Sequence, residues 1–325
     1  MEVVEELKRS ANKPEIKKGM VSVVIPIYGS FDIQRLFLTI ESIKNQEDVN
    51  VEIIVSEQGE SPKLKEKLGN SVRYTFTQHI PSLDLSDFNP GNVRNLAIKQ
   101  TSGEFIYTID ADVVFLDKYF LKKSKELLEQ NPRLVLYRPF MRRLPLENFE
   151  EFTEMVENKG IRDTIKSLDM SQEYLATTDR VKRELKVVTK DTDEYEKTFT
   201  TSMDEFKRYI SDDSLKGQEP KIWSENRHCG SNFFRREQFE IVGGYCEDFI
   251  NWGCEDSDLQ WKLKEVFDLQ FFPGEEKFMV MHLDHKMGYF SPEMWKRNEE
   301  ICSERKQKRI FKVAKEDQEK WKNRK

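Results

Sequence analysis

The 325-residue chain has no long apolar run. Its longest notable one, Val21 to Tyr28, contains Pro26. Nothing approaches the roughly 20 apolar residues that span a bilayer, which excludes an integral membrane protein. A basic excess is also missing. The net charge is −6 and the pI about 5.6, so there is no global positive field for nucleic acid. Cysteines are few (Cys229, Cys246, Cys254 and Cys302), and no two form a CxxC pair. That spacing argues against a structural zinc site. Residues 1–19 are charged and lack the apolar core of a secretory signal. Four free thiols in a reducing cytoplasm are the expectation. Internal repeats and low-complexity tracts are absent too. Hydrophobic residues make up 37% of the chain and charged residues 34%, so the chain is polar. Its 22 phenylalanines still supply a core for one large domain or two ordinary ones, which excludes wholesale disorder.

The pattern alternates. Val21–Tyr28 reads as a short, β-branched buried strand. Phe31–Gln46 has apolar residues at helical spacing (Ile33, Leu36, Phe37, Ile40, Ile43). Strands are expected at 51–56, 72–77 and 104–109, with helices at 62–68 and 92–100. Such β-α-β-α order predicts an α/β fold with a mostly parallel sheet covered by helices. Ligands in such sheets sit beyond the carboxyl ends of the strands. The highly charged stretch 145–222 predicts a helical insertion without sheet strands. Beyond it, a strand (231–235), a helix (237–242), a Gly243-Gly244 turn, a second helix (256–266) and short strands at 269–272 and 278–281 are expected. The organisation is then a leader (1–19), a catalytic domain (20–290) interrupted by 145–222, and a charged helical tail (291–325). That tail holds 12 Lys/Arg against 7 Asp/Glu.

Four groups of residues could carry chemistry. Asp110-Ala111-Asp112 follows an apolar strand. In extended backbone residues i and i+2 share a side, so both carboxylates could address one hard cation. A solvated turn is the plainer alternative. Asn251-Trp252-Gly253-Cys254-Glu255-Asp256-Ser257-Asp258 concentrates acids at a helix start. Helix capping explains such acids, and so does a general base. Trp252 offers a flat surface for a sugar ring, or else is core. His282 and His285, two of only four histidines, suit a borderline metal such as Mn²⁺, or are structural. Finally Pro26, Tyr28, Glu57, Gln58 and the Asn89–Asn95 segment lie at strand ends. There Gly91 permits close backbone approach at a helix N-terminus, and Arg94 could pair with phosphate.

In this order the pieces resemble a GT-A-fold glycosyltransferase of family 2. "VSVVIPIYG", "VEIIVSEQGE" and "NPGNVRNLAIKQTSGEFIYTIDADVVF" are similar to the nucleotide-sugar half. "GSNFFRREQFEIVGGYCEDFINWGCEDSDLQWKL" is similar to the C-terminal motif of β-galactosyltransferases, polypeptide N-acetylgalactosaminyltransferases and chondroitin-polymerase-type enzymes. The resemblance spans about residues 20–140 and 223–290. It implies that Pro26, Tyr28, Glu57 and Arg94 line a nucleotide pocket, Glu57 standing where an aspartate is usual. Asp110 and Asp112 would be the DxD pair, the latter the more direct ligand of Mn²⁺ or Mg²⁺. His282 would complete the metal shell, with His285 as the competing choice. Trp252 and Gly253 would border donor and acceptor sugars, Glu255 would contact a sugar hydroxyl, and Asp256 would be the catalytic base. Gly230 and Arg235 would shape the acceptor side. Segment 145–222 has no counterpart.

The reaction so implied moves a hexose or N-acetylhexosamine from a UDP-sugar to a hydroxyl of a glycan, polysaccharide or glycoconjugate, with inversion. A retaining enzyme of the same fold is the alternative. A metal-dependent nucleotidyltransferase leaves Trp-Gly-x-Glu-Asp unexplained, and an inactive binding module leaves the acids unexplained. No nucleic-acid partner is expected. The tail either packs on the domain through Trp295, Ile301, Ile310, Phe311 and Trp321 or rests peripherally on an anionic membrane surface.

Overall fold

The computed structural model describes residues 15–29, 32–78, 88–168, 186–187, 195–196, 227–251, 253–285 and 292–323. The Val21–Ile27 run lies inside the longer strand β1 (Lys17–Tyr28) and is buried on both faces. Val21, Val23, Ile25 and Ile27 enter one core cluster and Val24 the opposite one. Burial on both faces is why the run is continuous rather than alternating. β1 pairs in parallel with β2 (Val51–Gly59) and with β4 (Gly103–Thr108), and β2 with β3 (Arg73–Gln78). Helix α1 (Ile33–Lys44) starts on an Asp32 cap, whose side chain accepts from the Gln34 amide at 3.0 Å. Helix α2 (Pro90–Gln100) starts on Asn89, with proline where its missing N–H costs nothing.

Residues 62–68, expected as a helix, form one turn only. The amides of Lys63 and Leu64 donate to the Glu57 carboxylate, and Gly69 leaves the turn at φ +68°. Four elements between 113 and 144 were not expected: β5 (Val113–Phe115), α3 (Phe120–Gln130), β6 (Leu134–Tyr137) and β7 (Phe140–Leu144). Then come α4 (Phe149–Lys159) and α5 (Ile161–Ser167), the helical start of the charged segment. Within the same segment β8 (Lys186–Val187) and β9 (Tyr195–Glu196) pair antiparallel, contrary to the expectation of no strands. The rest of 145–222 lies outside the described residues.

β10 (Asn232–Arg235), α6 (Arg236–Ile241), α7 (Glu255–Val266), β11 (Asp268–Phe271) and β12 (Met279–Leu283) complete the domain. The main sheet is ordered β11-β6-β10-β4-β1-β2-β3, and a smaller one β5-β12-β7. β10 alone in the main sheet runs antiparallel to its neighbours, so that sheet is mixed. The described cysteines are all free. No described helix is long and apolar enough to cross a membrane.

The tail forms two helices, α8 (Pro292–Gln307) and α9 (Ile310–Asn323), packed on the domain. Of the apolar residues expected, Trp295 lies on Gly253, Ile301 joins the Cys246–Phe249 cluster and Trp321 meets Phe239 with ring centres 5.5 Å apart, but buried charges dock it as well. Phe311 is 68% exposed, while Arg305 and Asp317 are buried. Arg305 grips Asp258 of α7 at 2.7 and 3.0 Å and Asp317 at 2.6 Å. Lys262 of α7, fully buried, reaches Asp317 at 2.5 Å. Each buried charge thus has a hydrogen-bonded partner, as burial demands.

Candidate active site

The cation site is built by register. β12 runs antiparallel to β5 with His282 opposite Val113, and the Leu283 amide donates to the Asp112 carbonyl at 2.7 Å. That fixes Asp112 beside both histidines. His285 Nε2 lies 2.9 Å from Asp112 Oδ2 and His282 Nε2 3.4 Å from it. One ligand atom from each of the three residues falls within 4.8 Å of the others. Asp112 is 5% exposed, yet its Oδ1 has no hydrogen-bond partner. A buried carboxylate oxygen left open, beside two imidazoles, fits a divalent cation with mixed O and N ligands. Asp284 accepts at 2.9 Å from His282 Nδ1, and Arg143 holds Asp284 in turn. This outer carboxylate turns the other imidazole nitrogen, Nε2, toward Asp112. His282 is raised above its usual range, chiefly by Asp112 against the opposing effect of burial. Asp112 is held well below its range by the two imidazoles, against burial.

Asp110 does not join this trio. The strand ends at Thr108 and residues 111–112 lie in a turn, so the extended geometry that would align Asp110 with Asp112 is absent. Its carboxylate accepts from Arg94 Nη2 at 2.6 Å and faces His228 Nε2 at 3.2 Å. The two histidines, expected as rivals, stand together on Asp112.

Helix α7 opens on Cys254, at φ +74°, which brings Glu255 and Asp256 under α2. Arg94, 2% exposed, reaches Glu255 Oε1 at 3.3 Å and Asp256 Oδ1 at 3.9 Å from the guanidinium that holds Asp110. Tyr245 and Asn232 donate to Asp256 Oδ1 at 3.2 and 3.3 Å. Burial pushes Glu255 up to about 7, aided by the adjacent Asp256 charge and opposed by Arg94. Burial likewise raises Asp256. The rings of His228 and His282 are 6.4 Å apart, so the acid cluster and the cation site adjoin.

Gly230 presses on the cluster: a Cβ there would lie 2.6 Å from Asp110 Oδ2. Gly253 is at φ +110°, its α-carbon against the Trp295 ring. Pro26 is buried in β1 opposite Ser56, and Tyr28 lies against Phe88 with ring centres 5.7 Å apart. Glu57 is fully buried and accepts from the Lys63 and Leu64 amides and, at 2.5 Å, from Tyr74 Oη. That carboxylate staples a loop. Arg235 sits at the far end of β10, paired with Glu104 at 2.7 Å, away from the cluster. Trp252 lies outside the described residues.

Sequence reasoning missed His228, Asn232 and Tyr245. His228 had a signal, being two residues before Gly230 in a chain with four histidines. The other two are ordinary strand and turn residues until the fold places them on Asp256.

Comparison with known proteins follows the same division. The profile of glycosyl transferase family 2 matches residues 22–180, and that of the N-terminal domain of galactosyltransferase matches 214–286. An uncharacterized glycosyltransferase of Rickettsia bellii (strain RML369-C) is 29% identical over 125 residues, 38% of this chain and 17% of that protein. The chain therefore spans about a sixth of the curated relative it matches. Among solved structures, S. aureus TarS 1-349 in complex with UDP superposes with TM-score 0.47 at 16% identity, over 94% of this chain and 71% of its own. GalNAc-T7 with UDP, GalNAc and Mn²⁺ gives TM-score 0.49 at 14% identity, over 88% and 47%.

Proposed function

We propose that this chain, whose residues 22–180 match glycosyl transferase family 2 and whose residues 214–286 match the N-terminal domain of galactosyltransferase, is an α/β GT-A-fold glycosyltransferase that carries out metal-dependent transfer of a hexose or N-acetylhexosamine from a UDP-sugar to a hydroxyl acceptor on a glycan, polysaccharide or glycoconjugate. One observation carries it. Arg94 gathers Asp110, Glu255 and Asp256 into one buried cluster beside the Asp112–His282–His285 trio. A proton acceptor and a cation site thus stand side by side.

The cation, Mn²⁺ or Mg²⁺, would be held by Asp112, His282 and His285, with Asp110 at its edge, and supplies charge neutralisation for the departing diphosphate. Asp256 takes the proton of the attacking acceptor hydroxyl. Its raised proton affinity suits that task, and Tyr245 and Asn232 fix the carboxylate for it. Glu255 contacts a sugar hydroxyl, while Gly230 lets Asp110 and Gly253 lets Trp295 close in on the backbone that borders the sugars. Pro26, Tyr28 and Arg94 belong to the nucleotide side, with Glu57 shaping it through the 60s loop. A base on the acceptor hydroxyl fits inversion. Peripheral membrane contact and a cytoplasmic setting belong to the same proposal. Exposed Phe311 with exposed Lys308, Arg309 and Lys312 is the surface for that contact.

The test is to incubate the full chain with UDP-Gal, UDP-GalNAc, UDP-Glc and UDP-GlcNAc with and without Mn²⁺. Metal-dependent UDP release from at least one is expected. No release from any, or release of pyrophosphate from nucleoside triphosphates instead, overturns the reading. Product anomeric configuration by NMR separates inversion from retention.

A further inference from the structure

The tail helix α8 turns one face toward the loop that precedes Glu255 and Asp256. Trp295, Asn298, Cys302 and Arg305 recur at helical spacing along it. Each meets the 250–258 segment: Trp295 covers Gly253, Cys302 joins the apolar cluster that Cys254 packs against, and Arg305 grips Asp258. Asn298 is fully buried among them. Its Nδ2 donates to the Ile250 carbonyl at 2.8 Å and to the Gly253 carbonyl at 3.2 Å.

That loop needs holding. Asn251, Gly253 and Cys254 have φ of +60°, +110° and +74°. For the two non-glycine residues this is backbone of higher energy, which persists only where the surroundings over-determine it. On the inner side, the Asn251 amide donates to the Phe88 carbonyl at 2.6 Å. On the outer side, Asn298 ties the carbonyls on both flanks of the turn.

We infer that Asn298 is a positioning residue for sugar transfer. By clamping the Ile250 and Gly253 carbonyls it sets the direction in which α7 starts, and so the placement of Glu255 and Asp256. The tail helix is then part of the active-site framework. This rests on the function proposed for the acid cluster.

The test compares the full chain with Asn298→Ala, Asn298→Asp and Gln318→Ala. Asp is nearly isosteric with Asn but when ionised only accepts, so it opposes two carbonyls. Gln318 is also buried and also bonds carbonyls, those of Glu240 and Ile241, but lies away from the loop, and so reports general loosening of the tail. Both Asn298 variants should lose about 10²-fold in kcat, the scale of a small misplacement of reacting groups, with KM for the UDP-sugar unchanged. Gln318→Ala should lower thermal stability with kcat unchanged. Amide hydrogen exchange over 250–256 should rise in the Asn298 variants and not in Gln318→Ala. Equal kcat losses in the Asn298 and Gln318 variants, or unchanged exchange over 250–256, overturns the inference. If the wild-type chain turns over no UDP-sugar, the proposed function fails, and the exchange measurement alone decides whether Asn298 clamps the loop.

Discussion

Arg94 and Asp110 meet at 2.6 Å, the guanidinium 3% exposed and the carboxylate 37%. The same guanidinium faces Glu255 and Asp256, so three acids from two distant segments share one buried cation. Burial alone would discharge Arg94, but the Asp256, Asp110 and Glu255 carboxylates outweigh it and raise its proton affinity. The pairing draws Asp110 below its usual range against burial.

Removing that cation has a predictable cost. Arg94→Ala leaves Glu255 and Asp256 buried without a counter-charge. Loss of one partner from a buried pair costs about 3–5 kcal/mol, and urea unfolding at pH 8 should show a loss of that size. At pH 5 the loss should be smaller, because both acids can take up protons.

Separate acids should give separable defects. Asp256→Asn should cut turnover by about 10²–10⁴-fold while sparing UDP binding. Asp112→Ala should abolish the Mn²⁺-dependent part of UDP binding by calorimetry. Normal turnover in the first variant removes the base assignment, and unchanged affinity in the second removes the ligand assignment.

Asp284 touches no cation in this scheme but fixes the His282 ring. Its carboxyl is held down to about 2, by His282 and Arg143 against the effect of burial. Asp284→Asn keeps the shape and loses the charge. Mn²⁺ affinity, read by electron paramagnetic resonance titration, should weaken about 10–100-fold.

Glu255 links stability to pH. Its pKa rises from the ordinary 4.5 to about 7 in the folded chain. Between those values the folded chain keeps a proton that the unfolded chain has released. Its contribution is therefore full below 4.5 and is lost as pH rises through about 7. Glu255→Gln cannot ionise and escapes that loss. Its melting temperature relative to wild type should rise from pH 5 to pH 8; a constant difference contradicts the shift.

Some of this was legible before any coordinates. The Val21–Tyr28 run announces a buried strand because its apolar residues, Val23 to Ile27 above all, run on without alternating with polar ones. The acids after Gly253 announce a helix start because carboxylates favour that end of the helix dipole. The strands between 113 and 144 were not legible, since strands of three to five residues are too short for period 2 to register, whereas α3, with Phe120, Leu121, Ser124 and Leu128 on one face, carries a helical signal that sequence reasoning missed. The tail misled for another reason. Trp295, Ile301 and Trp321 do dock it, but Phe311 turns outward, and the buried ion pairs at Arg305 and Asp317 leave no periodic trace.

The sequence by itself determined the alternation of strands and helices, the polar strand ends and the identity of both acidic segments, because hydrophobic burial and capping are local in the chain. Only the tertiary structure decided which acids keep company. Asp110 goes to Arg94 and His228, while Asp112 goes to His282 and His285. Two residues apart in sequence, they part because a turn replaces extended backbone there, and because the β5–β12 register delivers the histidines to one carboxylate only.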